Sequence, residues 1–91
     1  MSYIFIKKIS RDMMKISADR LKPNQKAIIV DIACEKEFKN RMIEMGLTNG
    51  TEIRLIKTSP FGDPIEYSVR GYKLVIRKAD AKMITVMAGG G

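Results

Sequence analysis

The sequence predicts a mainly β domain, a small and strongly bent barrel of about five strands with one inserted helix. Three observations point there. After residue 51, apolar and polar residues alternate with period two in short stretches bounded by Gly, Pro or Asp. Helical spacing is sustained only over residues 35–45. A chain of 91 residues is too short to build two packed sheets with large faces, whereas one bent sheet buries a compact core and hides most edges.

Residues 1–19 do not share this pattern. Met13-Met14-Lys15-Ile16 reads as a natural start, with Leu21 opening the domain a few residues later. The expectation is a basic N-terminal extension over 1–19, amphipathic or frayed, ahead of a barrel domain over 20–87. Such an arm reads either as a membrane-surface or partner-binding segment or as a poorly ordered terminus. Leu21-Lys22-Pro23-Asn24-Gln25 is a turn. Residues 26–32 form the first expected strand, with Ile28, Val30 and Ile32 on one phase and apolar residues on both faces.

The helix follows. Cys34, Phe38, Met42 and Met45 line one stripe, and Ile43 widens it. Glu35 with Lys39 and Glu37 with Arg41 are spaced as i,i+4 ion pairs. No Ser, Thr, Asp or Asn stands immediately before the helix, so its N-cap is weak and it depends on packing. Gly46 stands where a left-handed cap residue is wanted, and Leu47 where such a cap places an apolar residue that packs back on Met42. Asn49-Gly50 then signals a turn into the second strand, Glu52–Lys57, with Ile53 and Leu55 inward.

Ser59 to Pro64 is a loop held by two prolines and a glycine. Ile65, Tyr67 and Val69 mark a half-buried strand. Gly71 allows a tight reversal into Tyr72, Leu74 and Ile76. A short turn over 78–81 leads to the closing strand, residues 83–87, and residues 88–91 form a flexible glycine tail. A barrel of this size with a helix over one open end is an SH3-like barrel.

Composition limits the functions available. The single cysteine, Cys34, excludes an intrachain disulfide and fits a reducing cytoplasm. No apolar run approaches the roughly 18 residues of a membrane span, and no secretory signal is read. The net charge of +7 suits nucleic acid, an anionic surface or an acidic partner, and equally a merely solvated surface. Histidine is absent, so Cys34 has no base to activate it, and no glycine-rich phosphate loop precedes a helix. The chain therefore reads as non-enzymatic, with no catalytic residues. Transition-metal sites need several His or Cys ligands, so no metal ligands or cofactor are assigned. That leaves room only for weak binding of Fe2+ or another transition metal. Arg70, Lys73, Arg77, Lys78 and Lys82 would line a basic face around the last hairpin. Tyr67 and Tyr72 fall on the inward phase there, without the exposed aromatics of a single-strand binder, so no specific nucleic acid is expected.

Three turn-centred motifs, in order, carry a resemblance. They are Arg41-Met42-Ile43-Glu44-Met45-Gly46-Leu47-Thr48-Asn49-Gly50-Thr51, then Pro60-Phe61-Gly62-Asp63-Pro64-Ile65, then Val69-Arg70-Gly71-Tyr72-Lys73-Leu74 with Arg77-Lys78. From about Leu21 to Val86 the chain resembles the ferrous-iron transport protein A (FeoA) family. Asn24 departs from it, because many members carry Gly in that turn. The resemblance implies an SH3-like barrel of the kind that also forms the C-terminal domain of diphtheria-toxin-repressor-like metalloregulators. It implies a cytoplasmic adaptor that docks on the ferrous-iron permease FeoB, peripheral to the membrane through that partner, as a monomer or weak homo-oligomer. The alternative is a metal-responsive regulatory domain that binds a transition metal or acts on a regulator. Residues expected at a partner surface are Met45, Leu47, Pro60, Phe61, Asp63 and Arg70, with barrel-closing packing as the competing role of each.

Overall fold

The computed structural model describes residues 13–33 and 35–89. Residues 1–12 of the expected extension, Cys34 and the last two glycines lie outside the described residues. The order is β1 (Met13–Ser17), a 3-10 turn (Ala18–Arg20), β2 (Lys26–Ile32), α1 (Lys36–Glu44), β3 (Glu52–Thr58), β4 (Ile65–Val69), β5 (Tyr72–Ile76), α2 (Lys78–Ala81) and β6 (Ile84–Gly89). All strand pairs are antiparallel, and the sheet order is β1-β6-β2-β3-β4-β5. Ile29, Leu47, Ile53, Leu55, Ile65, Tyr67, Val69, Ile84 and Val86 fill its centre, all fully buried. The fold is the expected mainly β, SH3-like one.

The described residues hold six strands rather than about five, and the extra one corrects the domain boundary. β1 lies inside the stretch expected to be an extension. It pairs with β6, Ile16 opposite Val86 and Met14 opposite Ala88. As an edge strand it is only half-buried, so Met13-Met14-Lys15-Ile16-Ser17 lacks the alternation that would announce it. The same pairing removes part of the expected glycine tail. Ala88 lies between β1 and β2 and is buried, and Gly89 ends the strand.

Two local readings also change. The register of β2 against β6 shifts between Ile29 and Asp31, so Ala27, Ile29 and Ile32 are the buried residues and Ile28 and Val30 are not. An added residue in one strand reverses the phase, which strict alternation cannot anticipate. On α1, Phe38 and Met42 are buried but Ile43 is 47% exposed. Neither expected i,i+4 ion pair closes to salt-bridge distance among the described residues, and the Arg41 guanidinium instead lies 5.7 Å from the centre of the Phe38 ring. Glu35 makes no side-chain cap to α1. The helix is held by its apolar face and its C-terminal motif.

The sheet curls until its two margins meet around the core. Tyr67, on the strand next to the β5 edge, donates its hydroxyl to the Ala18 carbonyl, 2.8 Å away and buried, just beyond β1 at the opposite edge. Burial, with the Asp19 carboxylate as a smaller cause, pushes the Tyr67 phenol well above its ordinary range.

Candidate functional site

β4 runs between two turn-rich ends of the sheet, and the expected partner-surface residues divide between them. Five strand residues span about 17 Å, so the ends are separate surfaces. Met45, Leu47 and Arg70 belong to the corner end. Pro60, Phe61 and Asp63 belong to the loop end.

The corner end is built from hydrogen bonds that face inward. The Leu47 N–H donates to the Met42 carbonyl (2.8 Å) and the Gly46 N–H to the Ile43 carbonyl (2.9 Å), the paired bonds of a Schellman cap. Gly46 takes φ +88°. The backbone favours glycine there, and a Cβ would stand 2.9 Å from the Tyr72 hydroxyl and push that side chain aside. The Tyr72 hydroxyl donates to the Met45 carbonyl at 3.3 Å and ties β5 to the helix end. Tyr72 is nonetheless 48% exposed, contrary to the inward phase expected of it, because its ring lies against the corner outside the core. Leu47 is fully buried and cannot be a surface contact; its role is core packing. Met45 is half-buried against the core. Arg70 is exposed, takes φ +51°, and donates from Nη2 to Thr51 Oγ1 at 3.1 Å.

The loop end faces outward. The Ser59 N–H donates to the Pro64 carbonyl (3.1 Å) and closes the base of the loop; the Gly62 N–H donates to the Ser59 carbonyl (2.7 Å) and turns its tip. Asp63 accepts from the Lys78 N–H at 2.9 Å and joins the loop to the start of α2. Pro60 is exposed, and Phe61 is 98% exposed. A large aromatic side chain held almost wholly in water by an ordered loop is unusual for a small domain.

The last-hairpin cations do not form one continuous stripe. Arg70 sits at the corner end and Lys78 at the loop end, where Lys78, Lys82 and Arg20 border a depression beside Ser17 and Asp19. Among the described residues no three His, Cys, Asp or Glu side chains gather as a metal site, and no helix is long and apolar enough to cross a membrane. A groove on the solvent face of β2–β4, lined by Lys26, Thr51, Glu52, Arg54, Ser68 and Arg70, shares only Arg70 with the expected site. Its residues come from three separate stretches of chain, and strand register brings those stretches together.

A family model described as the FeoA domain matches residues 16–88. The chain is 32% identical over 66 residues to an Fe(2+) transport protein A/Fe(2+) transporter FeoB fusion protein of Porphyromonas gingivalis; the match covers 72% of this chain but only 8% of the fusion. It is 31% identical over 71 residues to a putative Fe(2+) transport protein A of Campylobacter jejuni, covering 78% of this chain and 96% of that one. Among solved structures, an FeoA-like protein from Clostridium acetobutylicum superposes with a TM-score of 0.74 at 35% identity, covering 79% of this chain and 84% of the other. The fold alone is shared with a zinc-complexed FeoA of Stenotrophomonas maltophilia described as an SH3 domain protein (TM-score 0.68, 21% identity, covering 78% and 88%). It is shared likewise with a manganese-dependent transcriptional repressor (TM-score 0.75, 12% identity, covering 81% and 36%).

Proposed function

This chain belongs to the FeoA family, and from that premise we propose that it is a non-catalytic, cytoplasmic accessory of ferrous-iron uptake that docks on a FeoB-type permease through the loop end of its sheet. The Porphyromonas gingivalis relative supports the choice of partner: its name joins an FeoA and a FeoB part in one chain. Such a fusion keeps two modules at high effective concentration, which benefits parts that work in contact.

The surface rests on Phe61. The loop around it is already closed by its own hydrogen bonds, so docking the ring orders little further chain. Pro60 and Phe61 are the contacts in this reading, and Asp63 is a positioning residue that fixes the loop against α2. Met45 and Arg70 lie at the other end of β4 and fall outside this surface. Burying a phenylalanine side chain is worth about 1.5–3 kcal/mol, roughly a ten- to hundred-fold change in affinity. Phe61→Ala is therefore expected to weaken capture of the permease's cytosolic domain by that factor in a quantitative pull-down. Unchanged capture by a folded Phe61→Ala protein removes the loop from the interface.

A further inference from the structure

We propose that the groove across β2, β3 and β4 is a binding site for a phosphate group, carried by a soluble small molecule or a lipid headgroup. Strand register builds it. Lys26 stands opposite Arg54, and Arg54 opposite Ser68, so an ammonium, a guanidinium and a hydroxyl lie in one row across three adjacent strands. Neighbouring strands are about 4.8 Å apart, and like charges set directly opposite one another destabilise a sheet. The protein offers little relief of its own. Glu52 reaches Lys26 only at 3.9 Å. Among the described residues no carboxylate lies within 4.0 Å of the Arg54 or Arg70 guanidinium.

The third cation is held in place. Arg70, at positive φ in the β4–β5 turn, is anchored by its hydrogen bond to Thr51, a buried residue whose hydroxyl also pairs with Thr48 Oγ1 at 2.9 Å. One fork nitrogen is thereby committed, while the groove that the guanidinium borders stays open, about 440 Å³ in volume. Three cations against one carboxylate leave the lining with a net charge of +2.

Charge and donor count select the ligand. A phosphate monoester carries about −1.5 to −2 and three acceptor oxygens, which match two guanidiniums, an ammonium and a hydroxyl. A single carboxylate, with one charge and two oxygens, leaves one guanidinium unmatched. The site shares no residue with the loop-end docking surface, so either proposal stands if the other fails.

The test is a titration of inorganic pyrophosphate into the isotope-labelled full chain at low salt, followed by amide NMR. A parallel arm uses phosphatidylcholine vesicles with and without phosphatidic acid. The expected result is saturable one-site binding in at least one arm, with shifts or broadening centred on Thr51, Arg54, Ser68 and Gly71. Pyrophosphate alone identifies a soluble ligand, and phosphatidic acid alone a lipid headgroup. Arg54→Gln is expected to weaken that binding at least tenfold and Arg70→Lys several-fold, while Lys39→Gln, on α1, leaves it unchanged. Shifts that never saturate or that spread over all exposed lysines overturn the site. So does affinity unchanged in Arg54→Gln and Arg70→Lys proteins whose spectra report the native fold.

Discussion

The two ends of β4 use the same turn chemistry for opposite purposes. At the corner end, Gly46, Gly50 and Gly71 take positive φ, and the hydrogen bonds they allow direct Leu47 into the core and Tyr72 onto Met45. At the loop end, Gly62 also takes positive φ, yet the turn it forms raises Phe61 into water. The difference lies in what each turn is fastened to. The corner closes onto a helix end and an adjacent strand, so its apolar residue has a core to enter. The loop closes onto itself and onto α2, so its apolar residue has none. A turn motif thus specifies backbone direction, and the neighbouring elements decide whether its side chains serve packing or contact.

The largest effect expected from breaking this contrast comes from Leu47→Ala. Removing a fully buried leucine should cost about 2–5 kcal/mol, read as a lower urea midpoint with an unchanged slope. Phe61→Ala should stay within about 0.5 kcal/mol of the parent in the same experiment. Equal losses at the two positions would erase the distinction between the ends.

Gly46→Val and Gly62→Val sharpen it. Both place a β-branched residue at positive φ, a strain of about 1–3 kcal/mol. Only the Cβ at position 46 also meets the Tyr72 hydroxyl, whereas at 62 nothing lies within 4 Å. Gly46→Val should therefore melt at the lower temperature, and adding Tyr72→Ala should narrow the gap. Identical melting temperatures would mean that the tyrosine contact constrains nothing.

The strand between the ends supplies a smaller effect, and one that depends on pH. Tyr67→Phe removes the phenol donor from the buried Ala18 carbonyl, which keeps only the Leu21 N–H at 3.4 Å, at a cost of about 0.5–1.5 kcal/mol. The folded phenol has a raised pKa, so the native state favours the neutral form. That contribution is complete below the unfolded value near 10 and is lost as pH rises through the folded value. Denaturant midpoints should fall above about pH 10 in the parent and fall less in Tyr67→Phe. Parallel decline in both proteins would show that Tyr67 does not govern alkaline unfolding.

Much of the fold was legible because it rests on local chemistry. The Gly46-Leu47 cap, the turn before β3, and the alternation of Ile53 with Leu55 and of Ile65, Tyr67 and Val69 each follow from short-range sterics and period-two burial. Asn24, where the resemblance expects glycine, takes φ +67°, a region asparagine tolerates. β1 was not legible, because an edge strand half in water carries no clear pattern. Nor was the reversal of phase within β2, since the added residue leaves no mark on composition.

Of the candidate site, the sequence by itself determined that Phe61 stands in a closed loop and that Gly46 caps a helix, because both follow from residues within a few positions of one another. It also determined the family, through three motifs whose order and spacing agree. Only the tertiary structure decided that Leu47 is core while Phe61 is bare, that Met45 and Arg70 lie at the far end of β4 from Pro60 and Asp63, and that Lys26, Arg54 and Ser68 stand in one row. The physical reason is register. Which residues face one another across a sheet depends on pairings between distant strands, and a shift of one position moves a side chain from one face to the other.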